Sequence, residues 1–263
     1  MFKKITTLFM TLLLLGACSQ QKTESKTIKV ASHMEPMVDV VEIAAEEVKK
    51  DGYEIELVNV SDNVQANAAL QEKSIDANFF QHAPFMQAYN ESHDANLVAI
   101  TPIYDAIVGF YSHSINDIKD LQKGMTVGIP NDYSNQARAL DILADHQIIT
   151  LKEGLDHSAS LKDIVENPYE LEFQEVDLLS LTHAYEDVDL LYNYPTYIAK
   201  IGLTPKKDAV LLENSDHYYA ISLVAREDNK DSEEIAVLKK AMTSQAVKDF
   251  LEKNHSETLI PSF

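Results

Sequence analysis

IYDAIVGFYS, residues 103–112, is nearly all apolar or aromatic, and little turn signal separates it from the apolar run Leu97 to Thr101. It reads as a strand that carries on out of one unit and crosses into another. Before it, strands and helices alternate. Ile28 to Ser32 is a strand, and Pro36 to Lys50 places Met37, Val40, Val41, Ala44, Ala45 and Val48 at helical spacing. Gly52 stops that helix, and Tyr53 to Val60 alternates as a second strand. Residues 63–73 read as helix, 76–80 as strand, 83–92 as helix and 97–101 as strand. A second set follows: strands at 125–129, 169–176, 188–192 and 209–212, with helices at 135–146 and 196–201. YYAISLVA, residues 218–225, is the return crossing. Ser232 to Lys253 reads as one amphipathic helix packed on the first unit. Alternating strands and helices predict parallel sheets with helices on both faces. The expectation is an α/β chain of two lobes, residues 28–105 plus 223–263 and residues 106–222. Two crossing hinge strands join the lobes, with a ligand cleft between them.

IDANFFQHAP, residues 75–84, gives the cleft its first wall. A short buried strand ends beside aromatic and polar groups, and Pro84 opens a helix. Such strand-to-helix turns are where α/β proteins hold ligands. Phe79 and Phe80 point to opposite faces of a strand, so one of them lines the cleft while the other enters the sheet. His82 is either a ligand contact or a hydrogen-bonded structural histidine. Tyr104 and Phe110 either line the cleft floor or pack the hinge.

IPNDYSNQAR, residues 129–138, supplies the opposite wall. Asp132 or Ser134 caps a helix on which Asn135 and Arg138, three apart, share the first turn. Free helix N–H groups and a planar two-donor guanidinium suit a carboxylate. The other reading is a capped helix with an ion-paired arginine. Together these groups suit a small zwitterion. Arg138 takes its carboxylate, the aromatic faces take an apolar or thioether side chain, and Asp105, Asn193 or backbone carbonyls accept from its ammonium.

These stretches resemble methionine-binding lipoproteins of bacterial ABC importers, the NlpA type. IDANFFQHAP is similar to their D-A-N-x-F-Q-H-x-P and IPNDYSNQAR to their P-N-D-x-[ST]-N-x-x-R; residues 163–173, 201–209 and 226–231 are similar as well. The resemblance implies a two-lobed periplasmic-binding-protein fold of type II. It also implies delivery of an amino acid to a membrane permease driven by an ATPase. No G-x-x-x-x-G-K loop is present, so that ATPase is a separate chain. The family's ligand contacts carry over to Phe80, His82, Tyr104, Asn135 and Arg138. Tyr194, preceded by Asn193, stands at the spacing of one family asparagine and Ile221 at that of another. Asp105 follows Tyr104 where the family often has proline, Tyr133 replaces a proline, and residues 32–37 differ too. These departures surround the expected pocket, so a modified amino acid or a short peptide is the alternative ligand.

The chain opens with Lys3, Lys4 and an apolar run, Ile5 to Leu15, too short to span a bilayer. It reads as a signal peptide over residues 1–17. Leu15-Gly16-Ala17-Cys18 matches a lipobox, which makes Cys18 the lipid attachment site and residues 18–27 a polar tether. Cys18 is the one cysteine, so no disulfide is expected. The net charge of −20 excludes a nucleic-acid partner, and the lipid rather than the surface holds the protein to the extracytoplasmic face of a membrane. A monomer without cofactor is expected. His33, His82, His113, His183 and His217 raise a metal receptor as a lesser alternative, but no metal-ligand spacing joins them. No G-x-S-x-G elbow is present, and no enzyme is expected.

Overall fold

The computed structural model describes residues 26–60, 62–155, 157–214 and 217–263. The expected leader, Cys18 and all of the tether but Lys26 and Thr27 lie outside them. Those two residues begin a strand instead, paired with Tyr53 and Glu54.

In chain order the first elements are β1 (Lys26–Ser32), α1 (Met37–Val48), β2 (Tyr53–Asn59), α2 (Asn63–Gln71), β3 (Ala77–His82), α3 (Ala83–His93) and β4 (Leu97–Ala106). Next come β5 (Gly109–Tyr111), β6 (Thr126–Pro130), α4 (Tyr133–Asp145), β7 (Thr150–Leu151), β8 (Ile164–Glu166), β9 (Glu172–Val176), β10 (Leu190–Asn193), α5 (Pro195–Ile198), α6 (Pro205–Asp208) and β11 (Ala209–Leu212). The chain closes with β12 (Ile221–Arg226), α7 (Glu233–Met242), α8 (Gln245–His255) and β13 (Leu259–Pro261).

Two main sheets result, a six-stranded one ordered β13-β4-β12-β3-β1-β2 and a five-stranded one ordered β11-β5-β10-β6-β9. β7 and β8 form a small separate pair. The sheets are mixed rather than parallel. β12 runs antiparallel to both β3 and β4, and β5 antiparallel to β10 and β11. The cause is the crossing itself: a chain that leaves one sheet and returns to it re-enters against the direction of its neighbours.

β4 runs unbroken through Ile103 to Ala106, and two residues later β5 is already in the other sheet. β11 leads back, and the return strand begins at Ile221 rather than Tyr218. Residues 217–220 turn instead, with His217 at a left-handed φ of 66° and the Ala220 N–H on the His217 carbonyl at 3.2 Å. The two crossings touch: Glu213 N–H donates to the Val108 carbonyl at 3.0 Å. Their approach requires Gly109, where a Cβ would sit 2.4 Å from the Leu211 carbonyl oxygen.

α1 buries Met37, Val40, Val41, Ala44 and Val48, one stripe at helical spacing, and packs against α7 and α8. The expected single C-terminal helix is two. Ser232 caps α7 through the Ile235 N–H and Ser244 caps α8 through the Val247 N–H. Both halves bury apolar residues, so the hydrophobic period runs through the break and conceals it. Among the described residues no helix is long and apolar enough to cross a membrane.

Candidate functional site

β3 is buried at every position and is longer than expected, because Gln81 and His82 belong to it. No loop follows. His82 ends the strand and caps α3, its Nδ1 accepting from the Phe85 N–H at 3.2 Å, with Pro84 inside the first turn. That bond makes Nδ1 an acceptor and leaves the proton on Nε2. The Nε2–H donates to Asn135 Oδ1 at 3.2 Å, across the gap between the two sheets. Burial, then the positive charge of Arg138, push the His82 pKa down to about 3, so the ring is neutral.

That shift predicts a pH dependence. The folded pKa lies below the unfolded value, so folding is hindered wherever the unfolded chain holds a proton that the fold refuses. Stability is expected to fall as pH drops below about 6.5, by about 1.4 kcal/mol per unit, until about pH 3. Urea unfolding at pH 7 and 5 checks it: the wild type should lose about 2 kcal/mol more than His82→Gln. Equal losses would mean that His82 is charged in the fold.

α4 starts at Tyr133, with Asp132 as its cap. Asp132 accepts from the Asn135 N–H at 3.0 Å and from Asn135 Nδ2 at 2.9 and 3.1 Å. The helix start expected to greet a carboxylate is therefore occupied by the chain's own. Asn135 Oδ1 also accepts from the Tyr194 hydroxyl at 2.7 Å. The Tyr194 oxygen in turn accepts from Arg138 Nη1 at 2.8 Å. One hydrogen-bonded line thus runs from β3 through His82, Asn135 and Tyr194 to Arg138.

Arg138 is not a surface residue. It is 1 % exposed, and its fork is held by Glu213, Nε on Oε1 at 2.6 Å and Nη2 on Oε2 at 2.5 Å. The rings of Tyr219 and Tyr194 flank its guanidinium at 4.5 and 5.1 Å. Glu213 and Tyr219 carried no sequence signal. They come from the segment leading back to the first sheet, and only the closure of the two crossings brings them to α4.

Between the walls lies a small cavity of about 40 Å³. Met34, Met37, Phe80, Phe85, Leu178, Tyr197 and Ile221 make it largely apolar, while Asn63, Gln81, His82, Asn135, Tyr194 and Thr196 supply polar atoms. Phe80 lines it and Phe79 does not, as alternation on a strand requires. Gln81 has little to offer a ligand. Its Oε1 accepts from Asn67, and its Nε2 donates to Asn67 and Asn78. Met34 and Met37 come from the 32–37 stretch whose sequence departs from the family pattern.

Besides Arg138, three expected site residues stand outside the cavity lining. Asp105 accepts from Ser262 Oγ at 2.6 Å and from His217 Nδ1, and so ties the C-terminus to the return crossing. Asn193 donates to Thr182 Oγ1 at 3.0 Å and accepts from the Tyr194 N–H at 2.9 Å, which fixes the start of α5. Tyr104 lies behind the wall, 1 % exposed, with no partner for its hydroxyl among the described residues. Phe110 packs edge-on to Tyr192 at 5.8 Å, a hinge contact. No three metal-binding side chains converge among the described residues.

The model of the NlpA lipoprotein family matches residues 28–263. The D-methionine-binding lipoprotein MetQ of Escherichia coli is 34% identical over 94% of this chain and 92% of its own. A YaeC-family lipoprotein structure from Enterococcus faecalis is 45% identical, with a TM-score of 0.83 over 90% of this chain and all of that one. A nutrient-binding protein from Burkholderia cenocepacia, solved bound to methionine, is 31% identical at a TM-score of 0.83, again over 90% and 100%. The two-lobed binding-protein fold is thereby shown, and the relatives are named for binding rather than for a reaction.

Proposed function

The chain belongs to the NlpA lipoprotein family, and on that premise we propose that it is the solute-binding lipoprotein of an ABC importer. It captures a free amino acid, methionine or a close relative, between its two lobes. It works as a monomer held to the outer face of the membrane by a lipid on Cys18, and it hands its ligand to a permease whose ATPase is another chain. The observation that carries this reading is the line of hydrogen bonds from His82 to Asn135, Tyr194 and Arg138, which joins one sheet to the other beside an apolar cavity.

Two walls that meet through neutral side chains part and close at modest cost, because no charge is exposed when they separate. Ligand roles fall to Phe80, His82, Asn135 and Tyr194 at the cavity and to Arg138 and Tyr104 behind it. The unpartnered Tyr104 hydroxyl is a ready donor for a ligand oxygen. The methionine side chain suits the sulfur and aromatic lining formed by Met34, Met37, Phe80 and Phe85.

A wider groove of about 690 Å³ shares Met34 and Thr196 with the cavity, and it favours a second reading, a short peptide or modified amino acid whose tail lies there. Thermal shift with each free amino acid and with methionine-containing dipeptides separates the two. A ligand at 100 times its Kd should raise the Tm by about 5–10 °C. A shift with dipeptides alone would replace the amino-acid reading by the second.

A further inference from the structure

Any amino acid entering this cleft brings a carboxylate and an ammonium, and among the described residues the cavity lining contains no carboxylate to meet the ammonium. One neutral acceptor of the lining, Asn63 Oδ1, is buried without a partner among the described residues, but an amide oxygen carries no charge to balance an ammonium; two others are engaged. Asn135 Oδ1 already accepts from His82 and Tyr194, and Gln81 Oε1 from Asn67. Asp105 is held by Ser262 and His217. Asp132 is taken up by Ser134 and Asn135 at the start of α4. Among the described residues the carboxylate left beside the site is that of Glu213, and it lies on the Arg138 fork.

We propose that Glu213 is the acceptor for the ligand's ammonium group. It holds the Arg138 fork until the ligand's carboxylate takes its place and then pairs with the ammonium, so the cleft admits zwitterions and turns away simple carboxylic acids. The inference rests on the amino-acid reading above.

Charge balance is the reason. The Arg138 side chain is 1 % exposed and that of Glu213 13 %, so the pair sits out of water and its two charges cancel. Among the described residues Arg138 is the one fully buried basic side chain, so no other buried cation can neutralise a displaced Glu213. A zwitterion exchanges one neutral pair for two: carboxylate on Arg138, ammonium on Glu213. A carboxylic acid lacking the ammonium would take Arg138 and strand Glu213. An amine lacking the carboxylate would take Glu213 and strand Arg138. An unpaired buried charge is the expensive outcome in both cases. The Glu213 backbone is tied to Val108 in the outward crossing, which keeps its carboxylate beside Arg138.

Titration calorimetry on the mature chain with L-methionine, 4-(methylthio)butanoate and 3-(methylthio)propylamine tests the proposal. The wild type should bind methionine about 100-fold more tightly than either analogue, or better. In Glu213→Gln the preference for methionine over the butanoate should collapse to about tenfold or less, because a neutral amide neither needs nor rewards an ammonium. Glu213→Asp, which keeps the charge, should preserve the order of preference. Methionine bound by the wild type without that discrimination overturns the proposal, and this comparison needs no variant. Unchanged discrimination in a folded Glu213→Gln overturns it as well. Failure of the wild type to bind methionine or any other free amino acid would instead overturn the amino-acid reading, and the proposal with it.

Discussion

Arg138→Ala is expected to destabilise the protein as strongly as it weakens ligand capture. Removing the guanidinium leaves the Glu213 carboxylate buried without its bidentate partner and deprives the Tyr194 oxygen of a donor. Breaking a buried ion pair from one side costs about 3–5 kcal/mol, and the Tm should fall by about 10 °C. Affinity for methionine should fall by more than about 2 kcal/mol, the worth of a lost charge-assisted pair. A second substitution separates the two effects. Arg138→Met combined with Glu213→Leu removes both charges and should recover most of the stability, because apolar replacements of a buried pair are near neutral. Binding should stay lost. If the double variant regains affinity, the carboxylate does not bind at Arg138. If Arg138→Ala melts with the wild type, Glu213 finds water when its partner goes.

Phe79→Ala is the other large effect, and its contrast with Phe80→Ala tests which neighbour belongs to the core. Phe79 is fully buried, edge-on to Tyr104 at 5.9 Å, on the central strand of the six-stranded sheet. Truncation there leaves a cavity that a close-packed sheet cannot collapse, at about 3–5 kcal/mol. Phe80 faces the cavity and packs edge-on to Phe85 at 6.2 Å, beside space that already exists. Its loss should weaken ligand binding and cost less stability. Urea unfolding and calorimetry on both variants check the pair. Equal stabilities, or a larger affinity loss from Phe79→Ala, would reverse the assignment.

Most of the secondary structure was legible because burial imposes its period on the chain. The stripe of α1 and the alternation of Phe79 and Phe80 follow from 3.6 and 2 residues per turn and need no knowledge of a partner. The capping role of Asp132 was legible on similar grounds, being local chemistry within three residues. The C-terminal helix break was not, since the same apolar face continues on both sides of Ser244 and a period does not register a stop. The polarity of the sheets was hidden for another reason. Strand direction depends on where a crossing re-enters, which is a property of the whole path.

The candidate site divides along the same line. His82, Asn135 and Arg138 stood out because each belongs to a short motif with its own geometry, and the structure brings them within one line of hydrogen bonds. Asp105 and Asn193 also looked available, as any polar side chain beside a motif does. The fold then gave each of them a partner from a distant segment or a neighbouring turn.

By itself the sequence determined the two crossings, the helical and strand periods, the family and the two opposing motifs, all of them set by local pattern. Tertiary structure alone decided that Arg138 is buried and that Glu213, 75 residues away, fills its fork. Charge pairing at that separation depends on which surfaces meet when the second crossing folds back. No spacing along the chain encodes it.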